Sequence, residues 1–118
     1  MAATGKTLRL EDGRVACERC LVAETPLARM KGLLGRGELP RGEGILLRPA
    51  SAIHTWFMRF AIDAVFLDGD LVVLDVVRAL RPWRMAGRRG ACAVLELSAG
   101  DAERSGLRPG TKLVLAGR

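Results

Sequence analysis

The chain is short of several residue types, and each shortage narrows what it can be. Histidine occurs once, at His54, and cysteine three times, at Cys17, Cys20 and Cys92. An odd cysteine count makes a poor disulfide framework, which argues against a small secreted scaffold. No apolar run reaches the roughly 18 residues that a transmembrane helix needs. The opening stretch, MAATGKTLRLEDGR, lacks the apolar core of a secretion signal. A cytoplasmic protein with no membrane partner is expected on these grounds. Lysine is scarce as well: only Lys6, Lys31 and Lys112 stand among the 19 lysines and arginines, so arginine carries the positive charge. No internal repeat, linker or low-complexity tract is visible.

What is present suits an ordinary globular chain. At 118 residues, 49% hydrophobic and 27% charged, residues 1–118 are expected to form a single domain. That is enough apolar material for a core without metal or disulfide staples. The formal net charge is +6. Such basicity favours acidic partners. Arginine, alanine and glycine enrichment also follows from genomic base composition, so charge alone assigns no partner.

Along the chain, residues 7–10 and 15–24 read as strands around Asp12-Gly13, a hairpin signal. Thr25 fits an N-cap and Pro26 the first helical position, with Leu27, Met30, Leu33 and Leu34 at helical spacing and Gly35 as terminator. A Gly/Pro-rich loop over 36–44 precedes a short buried strand over 45–49, and extended chain over 53–58 is a natural continuation. Two strands flank Asp68-Gly69-Asp70, another hairpin signal. A basic loop over 81–90 leads to a strand over 91–97. Ser98 is a candidate N-cap for a helical turn ending near Gly106, and a last strand follows Pro109-Gly110. Strands dominate, so the expected class is mainly β with one or two short helices, as a compact sandwich or partly closed barrel.

Residues 51–70, SAIHTWFMRFAIDAVFLDGD, gather the histidine, one of two tryptophans and all three phenylalanines. Strand alternation puts His54, Trp56 and Met58 on one face and Ile53, Thr55 and Phe57 on the other. Asp63 falls with Val65 and Leu67 on an apolar strand. A buried carboxylate there needs an ionic or hydrogen-bonded partner. Arg59, His54 and backbone N–H groups are the nearby candidates. A pocket with Trp56 and Met58 as apolar walls and His54, Arg59 and Asp63 as polar groups would suit a small polar or anionic ligand. An alternative is a hydrolase-type enzyme, with His54 as general base and Asp63 orienting it. Ser51 and Thr55 are available hydroxyls, but no nucleophile motif accompanies them. A purely structural Asp63, pairing with an arginine or capping a turn, explains the same residues without any site.

The blocks MKGLLGR, GEGILL, IHTWFMRFAIDAVFLD and VLELSAG, in this order, resemble the bacterial and archaeal family catalogued as domain of unknown function 192. The resemblance runs from about Val22 to the end. It implies a compact, mainly β domain of jelly-roll-like topology and brings no assigned activity. Asp63 matches the family's carboxylate, Gly32, Leu33 and Leu34 its Gly-Leu block, and Leu95, Glu96 and Leu97 its late block. Many members carry Asn-Thr where this chain has Arg59-Phe60-Ala61, so no role for that amide and hydroxyl carries over.

Glu96, between Leu95 and Leu97, is a secondary site candidate. Alternation turns it away from those leucines, and if its face is covered it needs a cationic partner. Cys17 and Cys20 form C-x-x-C, and Cys92 and His54 would complete a Cys₃His zinc set. Residues three apart on a flat strand face opposite sides unless a bulge intervenes, so buried thiols and no metal or cofactor are expected. The basic loop 78–89 holds Arg78, Arg81, Arg84, Arg88 and Arg89 around Trp83. Arginines on phosphate and a base stacked on indole would suit nucleic acid, although no helix-turn-helix, zinc-finger or RNP signature is present.

Overall fold

The computed structural model describes residues 5–25 and 36–116. Among these residues the elements run β1 (Gly5–Leu10), β2 (Val15–Ala23), β3 (Glu43–Leu47), β4 (Ala52–His54), β5 (Ile62–Leu67), β6 (Val73–Leu80), β7 (Met85–Gly87), β8 (Ala93–Ser98), α1 (Asp101–Arg104) and β9 (Leu113–Ala116). Seven strands form one sheet in the order β6-β5-β8-β3-β2-β1-β9. β4 and β7 form a separate two-stranded ribbon. Among the described residues only the β2–β3 pairing is parallel. The expected mainly β class is therefore what the chain adopts. The sheet is not closed, but its edges meet at one end. There the Val73 and Gly110 N–H groups donate to Thr111 and Val73 carbonyls at 2.8 Å, and Leu113 N–H donates to Leu71 at 2.9 Å.

Both Asp-Gly signals form turns. Gly13 takes φ 94°, a left-handed conformation that costs glycine little. The Asp12 carboxylate accepts from Arg14 N–H at 3.0 Å, closing that turn. Asp68 does the same for the next hairpin, accepting from Asp70 and Val72 N–H at 2.8 and 3.0 Å.

Alternation along the central strands divides the core in two. Leu46, Val65, Leu67, Leu95 and Leu97 join one cluster with Leu8, Cys17, Cys20 and Leu113. Ile45, Leu47, Ile62, Ala64, Phe66 and Val94 face the other way. That second face is covered by Leu39, and by Ile53 and Met58 from around the ribbon. Both faces of the central sheet are thus buried, which accounts for the continuous apolar runs in β3, β5 and β8.

Three local expectations differ from the structure. Extended chain ends at His54 rather than continuing to residue 58. The basic loop contains β7, which pairs with β4. The helical turn starts after Gly100, with Gly100 rather than Ser98 at its N-cap position. The helix expected from Pro26 to Gly35 lies outside the described residues.

Candidate functional site

Asp63 is completely buried, with 0% of its surface exposed. Its Oδ1 accepts from Ala79 N–H at 2.9 Å, and its Oδ2 from Gly100 and Ala102 N–H at 2.9 and 3.0 Å. Each donor has a structural reason to need it. Ala79 lies in a β6 bulge opposite Asp63, where the register slips between the Ile62–Leu80 and Ala64–Val77 pairs, and takes φ 51°. Gly100 has no side chain to cap α1, so β5 supplies the acceptor instead. Of the three candidate partners, backbone N–H groups are the ones used.

The expected dyad is not formed. Asp63 makes no hydrogen bond to His54, and its complete burial keeps it from lining an open hollow. His54 is exposed and stacks on Trp56, with ring centroids 4.6 Å apart at 26°. Met58 leaves their company and is buried in the second core cluster. The reason is Phe57, whose φ of 67° reverses the chain where alternation expects it straight.

That reversal builds an aromatic surface. Phe57 is 69% exposed and Trp83 56%, and their rings meet edge to face at 4.7 Å. Trp83 also has a left-handed φ, 65°. Two bulky residues in that region are strained, and such strain persists only where surrounding contacts impose it. Thr55 imposes it. Its carbonyl accepts from Trp83 and Met58 N–H at 3.0 and 3.2 Å, and its N–H donates to the Arg84 carbonyl at 2.8 Å. Its hydroxyl donates to the Arg81 carbonyl at 2.6 Å and accepts from Arg84 N–H at 2.9 Å. A fully buried threonine thus fixes both turns, and Trp56, Phe57 and Trp83 project outward from them.

Arginines surround these rings. Residues 44–62 and 76–95 contain no aspartate or glutamate. Arg59, Arg81, Arg84, Arg88 and Arg89 are exposed and form no ion pair among the described residues. Arg78, by contrast, is paired with Glu103 at 3.0 Å. The sequence alone picks out Trp56, Arg59, Arg84 and Trp83 but places Phe57 with Thr55 on the face opposite Trp56. The interleaving of aromatic and arginine residues on both turns is the signal that would have joined them.

Glu96 faces away from Leu95 and Leu97, as alternation expects, but that face is covered. It sits between Ile45 of β3 and Ala64 of β5 in the cross-strand register and is only 4% exposed. Among the described residues it has no cationic or hydrogen-bonding partner. Burial pushes its carboxyl up to about 7.

A β2 bulge brings Cys17 and Cys20 to the same face. Leu8 opposes Cys17 and Lys6 opposes Cys20, so two β2 residues stand against Thr7 alone. Both thiols are buried. The adjacent Cys20 side chain, followed by burial, pushes the Cys17 thiol up from its ordinary value. Cys92 is exposed. Among the described residues no three of His, Cys, Asp and Glu converge on a metal position. Native protein treated with iodoacetamide should therefore label at Cys92 first, and at Cys17 and Cys20 only with denaturant present, as read by mass spectrometry. Rapid labelling of Cys17 in the native state would contradict this packing.

Comparison with known proteins places the chain. The model of the family described as DUF192, uncharacterized ACR, matches residues 8–115. The chain belongs to that family. A UPF0127 protein from Thermococcus sibiricus (strain DSM 12597 / MM 739) is 33% identical over 93 residues, which is 75% of this chain. The matched stretch spans 60% of that relative's length. A solved structure from Sinorhizobium meliloti 1021, named "putative transcription regulator", has a TM-score of 0.85 at 22% identity. The match covers 98% of this chain and 96% of that one, and it shows a shared fold. A protein of unknown function from Novosphingobium aromaticivorans DSM 12444 has a TM-score of 0.80 at 27% identity, over 95% and 84% of the two chains.

Proposed function

We propose that the chain is a binding module for an anionic ligand carrying a flat ring, and that the ligand sits on the two turns held by Thr55. A nucleotide unit is the chemical class that meets both demands, taken up free or within a single strand. Its base would stack on Trp56, Phe57 or Trp83, and its phosphate would meet Arg59, Arg84 or their neighbours. His54, stacked on Trp56, would extend the platform.

The single observation that carries this reading is strained backbone spent on exposure. Phe57 and Trp83 are held in left-handed conformations that keep large apolar rings in water. A fold selected for stability alone would bury them. The acid-free surroundings add a positive field that draws anions and repels cations.

The test is tryptophan fluorescence and anisotropy with two probes, adenosine monophosphate and a labelled 12-mer of single-stranded RNA. At low salt at least one should bind and quench. Phe57→Ala, Trp83→Ala and Arg84→Gln should each weaken binding by about tenfold, within the 1–3 kcal/mol that one stacked base is worth. Affinity for the strand should fall steeply with salt, whereas a single nucleotide should show a shallow dependence. Retention of neither probe, or binding unaffected by all three substitutions, would overturn the reading.

A further inference from the structure

The C-x-x-C spacing has a second consequence on the opposite side of β2. Because the bulge turns Cys17 and Cys20 inward together, Glu18 and Arg19 are both exposed. Bulges commonly re-aim a side chain in this way, often beside functional sites. Arg19 reaches Glu43 Oε2 at 3.2 Å, and Arg36 reaches Oε1 of the same carboxylate at 3.8 Å. Two guanidinium groups thus share one negative charge. Beside them lies an open hollow of about 420 Å³, whose lining includes Leu21 and Leu39 as well as Arg19, Arg36 and Glu43. That volume is at the small end of the range for ligand pockets, and the mixture of apolar wall and few polar groups is typical of them.

The geometry points to this hollow as a binding site for a small amphiphilic anion, with a carboxylate or phosphate head on Arg19 and Arg36 and a short apolar body against Leu21 and Leu39. Among the described residues that line the hollow, two guanidinium groups stand against one carboxylate. Both ion pairs are substantially solvated, and pairs of that kind are worth about 1 kcal/mol or less, so an incoming anion can compete with Glu43 for the guanidinium groups. The planar guanidinium fork matches carboxylate and phosphate oxygens alike. These residues are separate from the aromatic turns, so this site stands or falls independently of the nucleotide reading.

Calorimetric titration of the full 118-residue chain with four probes decides the matter. Hexanoate and hexyl phosphate carry the two heads on the same body, hexylammonium reverses the charge, and acetate removes the body. Hexanoate, hexyl phosphate or both should bind saturably at about millimolar concentration or below, and whichever does so identifies the head. Hexylammonium should not bind, and acetate should be at least about tenfold weaker than hexanoate if the carboxylate is the head. Arg19→Gln and Arg36→Gln should each lower affinity by about tenfold, whereas Arg108→Gln, outside the lining of the hollow, should not. Matching circular dichroism melting curves would establish that the variants fold. No saturable binding of either anion, equal binding of hexylammonium, or affinity unchanged in both Arg19→Gln and Arg36→Gln would overturn the proposal.

Discussion

Asp63→Ala should lower the free energy of unfolding by about 3 to 5 kcal/mol. The substitution strands three N–H groups, those of Ala79, Gly100 and Ala102, that now share one buried carboxylate. A buried donor left without an acceptor costs about 1–3 kcal/mol, and the smaller cavity allows some relaxation. Whole domains are stable by only about 5–15 kcal/mol, so the variant should sit near the unfolding threshold. Asp63→Asn keeps the shape but turns an NH₂ group toward N–H donors on one side, and it should also destabilise, to a smaller degree. Urea unfolding followed by circular dichroism measures both. A loss under about 1 kcal/mol for the alanine variant would mean that the three bonds are easily replaced by water.

Glu96→Gln should act in the opposite direction, and only at high pH. In the folded protein burial holds the Glu96 carboxyl near 7, against an ordinary value of 4.5. The folded state therefore binds the proton more tightly than the unfolded state does. This contribution to stability is complete below about pH 4.5 and is lost as pH rises through about 7. The gap corresponds to about 3 kcal/mol. Near pH 8 the glutamine variant should be more stable than the wild type by up to that amount, and near pH 4 the two should be similar. Paired unfolding curves at those two pH values provide the check. Parallel pH dependence in the two proteins would show that the carboxyl finds solvent or a cation in the folded state.

These two residues also mark how far the sequence could be read. Alternation correctly places Asp63 with Val65 and Leu67, and Glu96 opposite Leu95 and Leu97, because side-chain direction in a strand is local. What each group meets is not local. Asp63 is satisfied by backbone donors from residues 79, 100 and 102, and backbone N–H groups leave no mark in a sequence. The cover over Glu96 likewise depends on the folded sheet. The Asp12-Gly13 and Asp68-Gly69 turns were legible because turn chemistry resides in adjacent residues. Positions where alternation fails have cross-strand causes. Cys17 and Cys20 share a face through a slip in register against β1. Met58 parts from Trp56 because Phe57 adopts a conformation that its side chain does not favour, under restraint from Thr55. Nothing in the spacing of His54 and Asp63 indicates that one ends exposed on the two-stranded ribbon and the other deep inside.

The pairing of β1 with β9 has an architectural consequence. Thr7 lies opposite Ala116, so the chain enters and leaves this sheet at neighbouring points. A polypeptide that departs beside its point of entry can be spliced into a surface turn of a larger host without disturbing the host's course. The same adjacency would let a short bridge join β9 to β1 and new ends be opened elsewhere. The fold is thus suited to being carried as a cassette.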